Sequence, residues 1–212
     1  MSSIYRDARF LTSANTSNTL PPEKGFEVAF AGRSNSGKSS TLNCLCEQKA
    51  LARVSKTPGR TQLINFFALK DGNALVDLPG YGYAKVPEAV KIEWQKFIES
   101  YMNTRGNLAG LVIIMDIRHP MRDHDHIMLE WAESRQLPVH LILNKSDKLK
   151  RGAMTKAVLE TKKALKEYDL PVTVQAFSSL KKVGIEELTQ QLDHWFHPAE
   201  KVSGTVDAAD DE

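Results

Sequence analysis

The chain has 212 residues, 42% of them hydrophobic and 25% charged, which excludes wholesale disorder, a fibrous repeat and an all-polar linker and suits one domain of ordinary size. The formal charge of +2 hides an asymmetry: residues 198–212 hold one lysine and five acids, so the body has 27 basic against 21 acidic residues, a formal +6. A basic body with an acidic tail is compatible with a polyanionic partner, and equally with ordinary solubilising charge.

Residues 1–22 read as an N-terminal extension, rich in Ser, Thr and Asn and closed by Pro21-Pro22. No opening stretch pairs a basic start with an apolar core, so no secretory signal is expected. Val28 to Ala31 is apolar and continuous, as in a buried strand, and a helix is expected from Gly37 to about Glu47. Within it Cys44 and Cys46 are too close for an ordinary disulfide, and a C-x-C pair alone is no zinc site; free buried thiols in a reducing compartment are expected. Residues 51–62 are polar and basic around Pro58-Gly59, which predicts an exposed loop. Ile64 to Leu69 and Ala74 to Val76 read as strands joined by a hairpin turn at Asp71-Gly72. Pro79, Gly80 and Gly82 make Leu78 to Val86 a second loop.

Trp94, Phe97, Ile98, Tyr101 and Met102 mark one face of a helix over Glu88 to Asn103. The apolar run Leu108 to Met115, closed by Asp116, is too short to span a bilayer and contains a strand over Leu111 to Met115. Helix Asp123–Arg135, strand Val139–Leu143, a lysine-rich helix Thr155–Glu167, strand Val172–Phe177 and a final amphipathic helix carrying Ile185, Leu188, Leu192, Trp195 and Phe196 complete the pattern. Strands alternating with helices predict a three-layer α/β domain over residues 23–197, with a mostly parallel six-stranded sheet and one antiparallel edge strand. Residues 198–212 are expected to be an acidic, disordered tail.

Gly32, Arg33, Ser34, Asn35, Ser36, Gly37, Lys38 and Ser39 match G-x-x-x-x-G-K-S/T between a predicted strand and helix. Glycines there let backbone N–H groups wrap a phosphate, and the helix N-terminus favours an anion. Lys38 would neutralise β- and γ-phosphates, and the Ser39 hydroxyl would ligate Mg²⁺. Asp77-Leu78-Pro79-Gly80 follows at a strand end: Asp77 can hold Mg²⁺ through water, and the Gly80 N–H can reach a γ-phosphate. Asn144-Lys145-Ser146-Asp147 suits guanine, whose N1–H and N2 amino group offer one carboxylate two donors that adenine lacks. In that reading Asn144 ties the loop to the phosphate loop and the Lys145 stem lies along the base. Phe177-Ser178-Ser179 ends the last strand, where backbone groups could meet the guanine O6. A nucleotide switch also needs a threonine that reaches both Mg²⁺ and the γ-phosphate; Thr61, just before a strand, is the first choice and Thr57 the second.

These motifs, in this order, resemble the Ras-like translation-factor class of P-loop GTPases. Gly32–Ser39, Ser55–Gln62, Asp77–Tyr83 and Phe177–Lys181 together are similar to the EngB family over about residues 23–197. The resemblance implies a cytoplasmic bacterial GTPase that binds GTP and GDP with Mg²⁺, acts in large ribosomal subunit assembly and is linked to division septum formation; a monomer is expected. It adds nucleotide contacts from Gly59, Arg60, Thr61, Gln62 and Leu63, and catalytic roles for Lys38, Thr61, Gly80 and Asn35. Relatives often have Thr where Asn144 stands, which leaves base specificity resting on Asp147. Tyr81 occupies the position at which Ras has a water-orienting Gln, so intrinsic hydrolysis is expected to be slow and completed in trans. Asn35 stands where related GTPases use Asn to help bind K⁺; the other reading is an Asn tolerated in a left-handed turn.

Three basic groups are candidates for ribosomal RNA contact: Arg53, Lys56 and Arg60; Lys148, Lys150, Arg151, Lys156, Lys162, Lys163 and Lys166; and Lys181 with Lys182. None of the six histidines is assigned to catalysis or metal binding; His124 and His126, two apart on a helix, diverge. A non-hydrolysing nucleotide-dependent scaffold and an RNA-modifying or membrane-linked GTPase are the rival functions.

Overall fold

The computed structural model describes residues 3–52, 63–81 and 88–198. Along the chain run β1 (Arg9–Ala14), β2 (Glu27–Gly32), α1 (Lys38–Leu45), β3 (Ile64–Ala68), β4 (Ala74–Asp77), α2 (Glu88–Thr104), β5 (Leu108–Asp116), α3 (Asp123–Ser134), β6 (Val139–Asn144), α4 (Arg151–Ala164), β7 (Val172–Ala176) and α5 (Ile185–Phe196). Among the described residues they form one seven-stranded sheet in the order β1-β3-β4-β2-β5-β6-β7.

Successive residues of a strand face opposite ways, and here both faces are covered. On β2, Ala29 and Ala31 join a core with Ile113, Leu141, Ile98, Tyr101 and Leu129, under α2, α3 and α4. Val28 and Phe30 join the opposite core with Ile114, Ile142, Leu42, Leu188 and Trp195, under α1 and α5. That two-sided burial explains the continuous apolar runs of β2, β5 and β6. Gly110 lies in β5 directly beneath the Trp195 indole, in the space a side chain would fill.

The three-layer, mostly parallel arrangement is as expected, but the sheet has seven strands, not six. The seventh comes from the segment read as an extension. β1 pairs antiparallel with β3, from Arg9 opposite Ala68 to Ala14 opposite Ile64, with a bulge between Phe10 and Thr12. Strand β3, antiparallel to β4 as the hairpin predicts, therefore lies inside the sheet and β1 is the edge. The preceding turn is anchored as well: Tyr5 is buried and its hydroxyl donates to Asp193 of α5 at 2.6 Å. The predicted loop 51–62 and tail 198–212 lie outside the described residues, apart from Leu51, Ala52 and Pro198.

His140, buried in β6, bridges to β7. Its ring nitrogens lie 2.7 Å from Thr173 Oγ1 and 2.7 Å from Gln175 Oε1, and Gln175 Nε2 donates to the Gly184 carbonyl at 2.7 Å. The Gln175 oxygen must accept, so His140 carries its proton on Nε2. Burial holds the His140 pKa below its ordinary value of 6.5, against the opposing hydrogen bond to Gln175. Below that value the unfolded chain takes up a proton that the folded chain resists. Stability from this group is therefore complete above about pH 6.5 and falls as the pH drops through it. Urea midpoints at about pH 7.5 and about pH 5.5 should differ more for the wild type than for His140→Gln, which cannot titrate.

Candidate functional site

The site lies at the C-terminal ends of the parallel strands, where open α/β sheets bind ligands. Strand β2 ends at Gly32, and the chain turns tightly, with the Ser36 N–H donating to the Arg33 carbonyl at 3.0 Å. Gly32 is required by space: a Cβ there would lie 2.7 Å from both the Ile114 carbonyl and Ser36 Oγ. Gly37 is required by conformation, with φ of 99°, and by the Asn144 amide packed against it. Being glycine, it caps α1 without a side chain, so the first N–H groups of the helix face the loop. Asn35 takes φ of 65°, the left-handed turn conformation.

At the helix start, the Lys38 ammonium pairs with the Asp77 carboxylate from the end of β4. Asn65 Nδ2 also donates to Asp77, at 3.4 Å. Two hard oxygen donors, the Ser39 hydroxyl at the start of α1 and the Asp77 carboxylate beside Lys38, are the chemistry that a magnesium–phosphate group needs. These residues therefore fit Mg²⁺ with a polyphosphate. Leu78, Pro79 and Gly80 continue from Asp77; Leu78 is buried, and its N–H donates to the Phe30 carbonyl at 3.0 Å, fixing this loop to β2.

The second half of the site is built from β6 and β7. Asn144 Nδ2 donates to the Ser36 carbonyl at 3.0 Å, and its Oδ1 accepts from the Lys145 and Ser179 N–H groups at 2.8 and 3.3 Å. One buried side chain thus joins the loops at Ser36, Lys145 and Ser179. The Ser146 N–H donates to the Phe177 carbonyl at 3.0 Å. The Ser178 hydroxyl donates to Asp147 Oδ1 at 2.6 Å, which favours the ionised carboxylate and holds the Asp147 pKa below its usual value. An ionised, oriented carboxylate suits a ligand edge that offers two donors.

The structure thus brings together residues 32–39, 77–80, 144–147 and 177–179. Leu63 lies immediately before β3, while Thr57, Gly59, Arg60, Thr61 and Gln62, with Arg53 and Lys56, lie outside the described residues. Of the cysteines, Cys46 is fully buried and its thiol is pushed up to about 12 by burial; Cys44 is only partly buried, with its thiol 3.5 Å from the Ser179 carbonyl. His126 bonds Tyr168 through Nδ1 at 2.5 Å and His124 lies against Tyr81, so the two rings do diverge. No cluster of metal-binding side chains occurs among the described residues.

Two features escaped the sequence reading. Tyr81 is buried; its carbonyl accepts from the Ser34 N–H at 2.9 Å and its hydroxyl donates to Asp125 of α3 at 2.7 Å. Burial, reinforced by the Asp125 charge, raises the phenol pKa well above its ordinary value. Asp116, at the end of β5, accepts from Lys145 Nζ at 3.0 Å and from Arg118 at 2.9 and 2.6 Å. Its place at the same strand ends as the four motifs was the signal available in the sequence.

Residues 27–145 match the family of 50S ribosome-binding GTPases. A protein of Idiomarina loihiensis, described as a probable GTP-binding protein EngB, is 54% identical over 192 residues, 91% of this chain and 93% of its own length. The chain belongs to the EngB family. An EngB protein of Pasteurella multocida is likewise 54% identical over 194 residues, 92% of this chain and 95% of its own. Among solved structures, that of a probable EngB protein superimposes with a TM-score of 0.65 at 21% identity, covering 81% of this chain and 98% of that one. Aquifex aeolicus Era, bound to GDP and aluminium fluoride, gives 0.61 at 21% identity over 82% of this chain and 57% of its own. Both share the P-loop GTPase fold. No helix among the described residues is long and apolar enough to cross a membrane.

Proposed function

We propose that this EngB-family protein binds GTP and GDP with Mg²⁺, hydrolyses GTP slowly, and acts as a nucleotide-dependent switch in large ribosomal subunit assembly. The observation that carries the reading is the convergence of four loops around the Lys38–Asp77 and Ser178–Asp147 pairs. Lys38 turns its charge to the β- and γ-phosphates, and the N–H groups at the start of α1 cradle them. Ser39 and Thr61 would hold Mg²⁺, and Asp77 would support it through water. Mg²⁺ supplies neutralisation of the phosphate charge that grows as the bond to the γ-phosphate breaks. The Gly80 N–H meets the γ-phosphate, so loss of that group releases the loop after β4. Asp147 selects guanine, Lys145 lines the base, and Ser178 and Ser179 close the pocket; Gly59, Arg60, Gln62 and Leu63 would add nucleotide contacts, as the family resemblance implies.

Tyr81 has no carboxamide, and its hydroxyl is committed to Asp125. Slow turnover with a partner-supplied group follows. The same observation favours a second reading, a non-hydrolysing nucleotide-dependent scaffold. Single-turnover assays with purified large-subunit particles separate the two, since the scaffold shows no particle-stimulated phosphate release.

K⁺ held beside Asn35 would offset the developing phosphate charge. Turnover is then expected to be several-fold faster in KCl than in NaCl at equal ionic strength; equal rates would end that part of the proposal. Exposed Lys148, Lys150, Arg151, Lys156, Lys162, Lys163, Lys166, Lys181 and Lys182 give ribosomal RNA a basic surface, whose contribution falls steeply with salt. A cytoplasmic monomer with an acidic tail, linked to cell division, completes the proposal. Co-sedimentation with large-subunit particles is expected in GTP or a non-hydrolysable analogue and lost in GDP; identical binding in all three would contradict the switch.

A further inference from the structure

The end of β5 carries three consecutive residues that grip the nucleotide loops from behind. Asp116 lies opposite Asn144 in the β5–β6 register, and the Ile117 N–H donates to the Asn144 carbonyl at 2.9 Å. The Arg118 guanidinium forks onto Asp116, with Nε 2.9 Å from Oδ1 and a terminal nitrogen 2.6 Å from Oδ2, and the Arg118 N–H adds a third bond at 3.1 Å. Three donors from one residue fix the carboxylate plane. Its Oδ2 then receives Lys145 Nζ at 3.0 Å, and the same ammonium donates to the Asn35 carbonyl at 2.6 Å.

Lys145 needs such anchoring for two reasons. Its backbone is left-handed, with φ of 65°, a conformation that lysine disfavours. Its side chain also gives up considerable rotamer freedom when held in one place. The Asn35 carbonyl alone is a neutral acceptor, whereas Asp116 opposes a full charge to the ammonium.

We propose that Asp116, itself held by Arg118, is a positioning residue for guanine-nucleotide binding: it pins Lys145 as a wall of the base pocket and ties it to the phosphate loop. The proposal rests on the guanine-nucleotide reading of the site. Asp116 acts through Lys145, so its effect disappears once Lys145 can no longer pair. A merely structural clasp between β5 and β6 would lower fold stability and would weaken binding whatever stands at position 145.

The test is GDP titration calorimetry with Mg²⁺ on the wild type, Asp116→Asn, Lys145→Met, the double variant and Arg118→Met, with unfolding midpoints of each. Asp116→Asn keeps the shape and loses the charge. It is expected to weaken GDP about tenfold, with the midpoint shifted by no more than about 2 °C. The double variant should bind no more weakly than Lys145→Met, and Arg118→Met should lose about threefold. A change below about twofold for Asp116→Asn would overturn the proposal, as would losses that add in full in the double variant. Absence of binding by the wild type would instead overturn the nucleotide reading, and this inference with it.

Discussion

Asp147→Asn is expected to exchange guanine for xanthine. In the proposed complex the carboxylate accepts from two guanine donors, N1–H and the N2 amino group, and each charge-assisted bond contributes about 1.5–3 kcal/mol. An asparagine can still accept from N1–H, but its amide then faces the N2 amino group donor to donor. GTP and GDP affinity should fall by roughly 10²–10⁴-fold. Xanthine has a carbonyl at that position, which accepts from the new amide, so xanthosine nucleotides should bind the variant far better than the wild type. The fold should survive, because Asn keeps an oxygen for the Ser178 hydroxyl, now 2.6 Å from Asp147. Competition of xanthosine and guanosine diphosphates for both proteins checks it; a variant that loses guanine without gaining xanthine would show that Asp147 shapes the loop and does not read the base.

A comparably large effect, on stability and not on binding, is expected from Arg105→Met. Arg105 and Glu27 are 5% and 2% exposed and pair through bonds of 2.9 and 2.5 Å; the Tyr101 hydroxyl donates to the same carboxylate at 3.0 Å. Arg105 also lies over the Phe66 ring, 5.7 Å from its centroid. Removing the arginine leaves a buried carboxylate without its counter-charge, which costs about 3–5 kcal/mol. For a chain of this size the melting midpoint should fall by roughly 6–20 °C. Replacing Glu27 by Met as well should recover most of that, because no unpaired charge remains. The pair sits at the opposite end of β2 from Gly32, roughly 17 Å away by strand rise. GDP affinity measured well below the midpoint should therefore stay near that of the wild type. A loss of affinity as large as the loss of stability would mean that the two ends of the strand are coupled.

The parts of the fold that could be read from sequence are those in which local pattern and burial agree. Strands β2, β5 and β6 are covered on both faces and appear as apolar runs, and α5 repeats Ile185, Leu188, Leu192 and Trp195 toward one core. The four loops of the candidate site were legible because each is contiguous and follows a strand. β1 was not legible. Its six residues Arg9 to Ala14 lie at the sheet edge, Phe10 and Leu11 remain exposed, and the bulge breaks the alternation that marks a strand. Pairing with β3 sets its register, and pairing leaves little trace in composition.

The two missed site features share a cause. Tyr81 and Asp125 are 44 positions apart, Asp116 and Lys145 are 29 apart, and neither pair follows a helix or strand period. Each residue has an innocuous local reading: Asp116 ends an apolar strand, and Asp125 sits in the first turn of a helix. The Glu27–Arg105 pair, 78 positions apart, was hidden for the same reason, since charged side chains are rarely buried and sequence alone does not announce the partner.

The most direct test of the central claim is titration calorimetry of the purified protein with GDP, GTP, ADP and ATP in the presence of Mg²⁺. Saturable one-to-one binding of both guanosine nucleotides, with adenosine nucleotides at least about a hundredfold weaker, is the predicted result. Equal affinity for adenosine and guanosine nucleotides, or no heat with either, would contradict it.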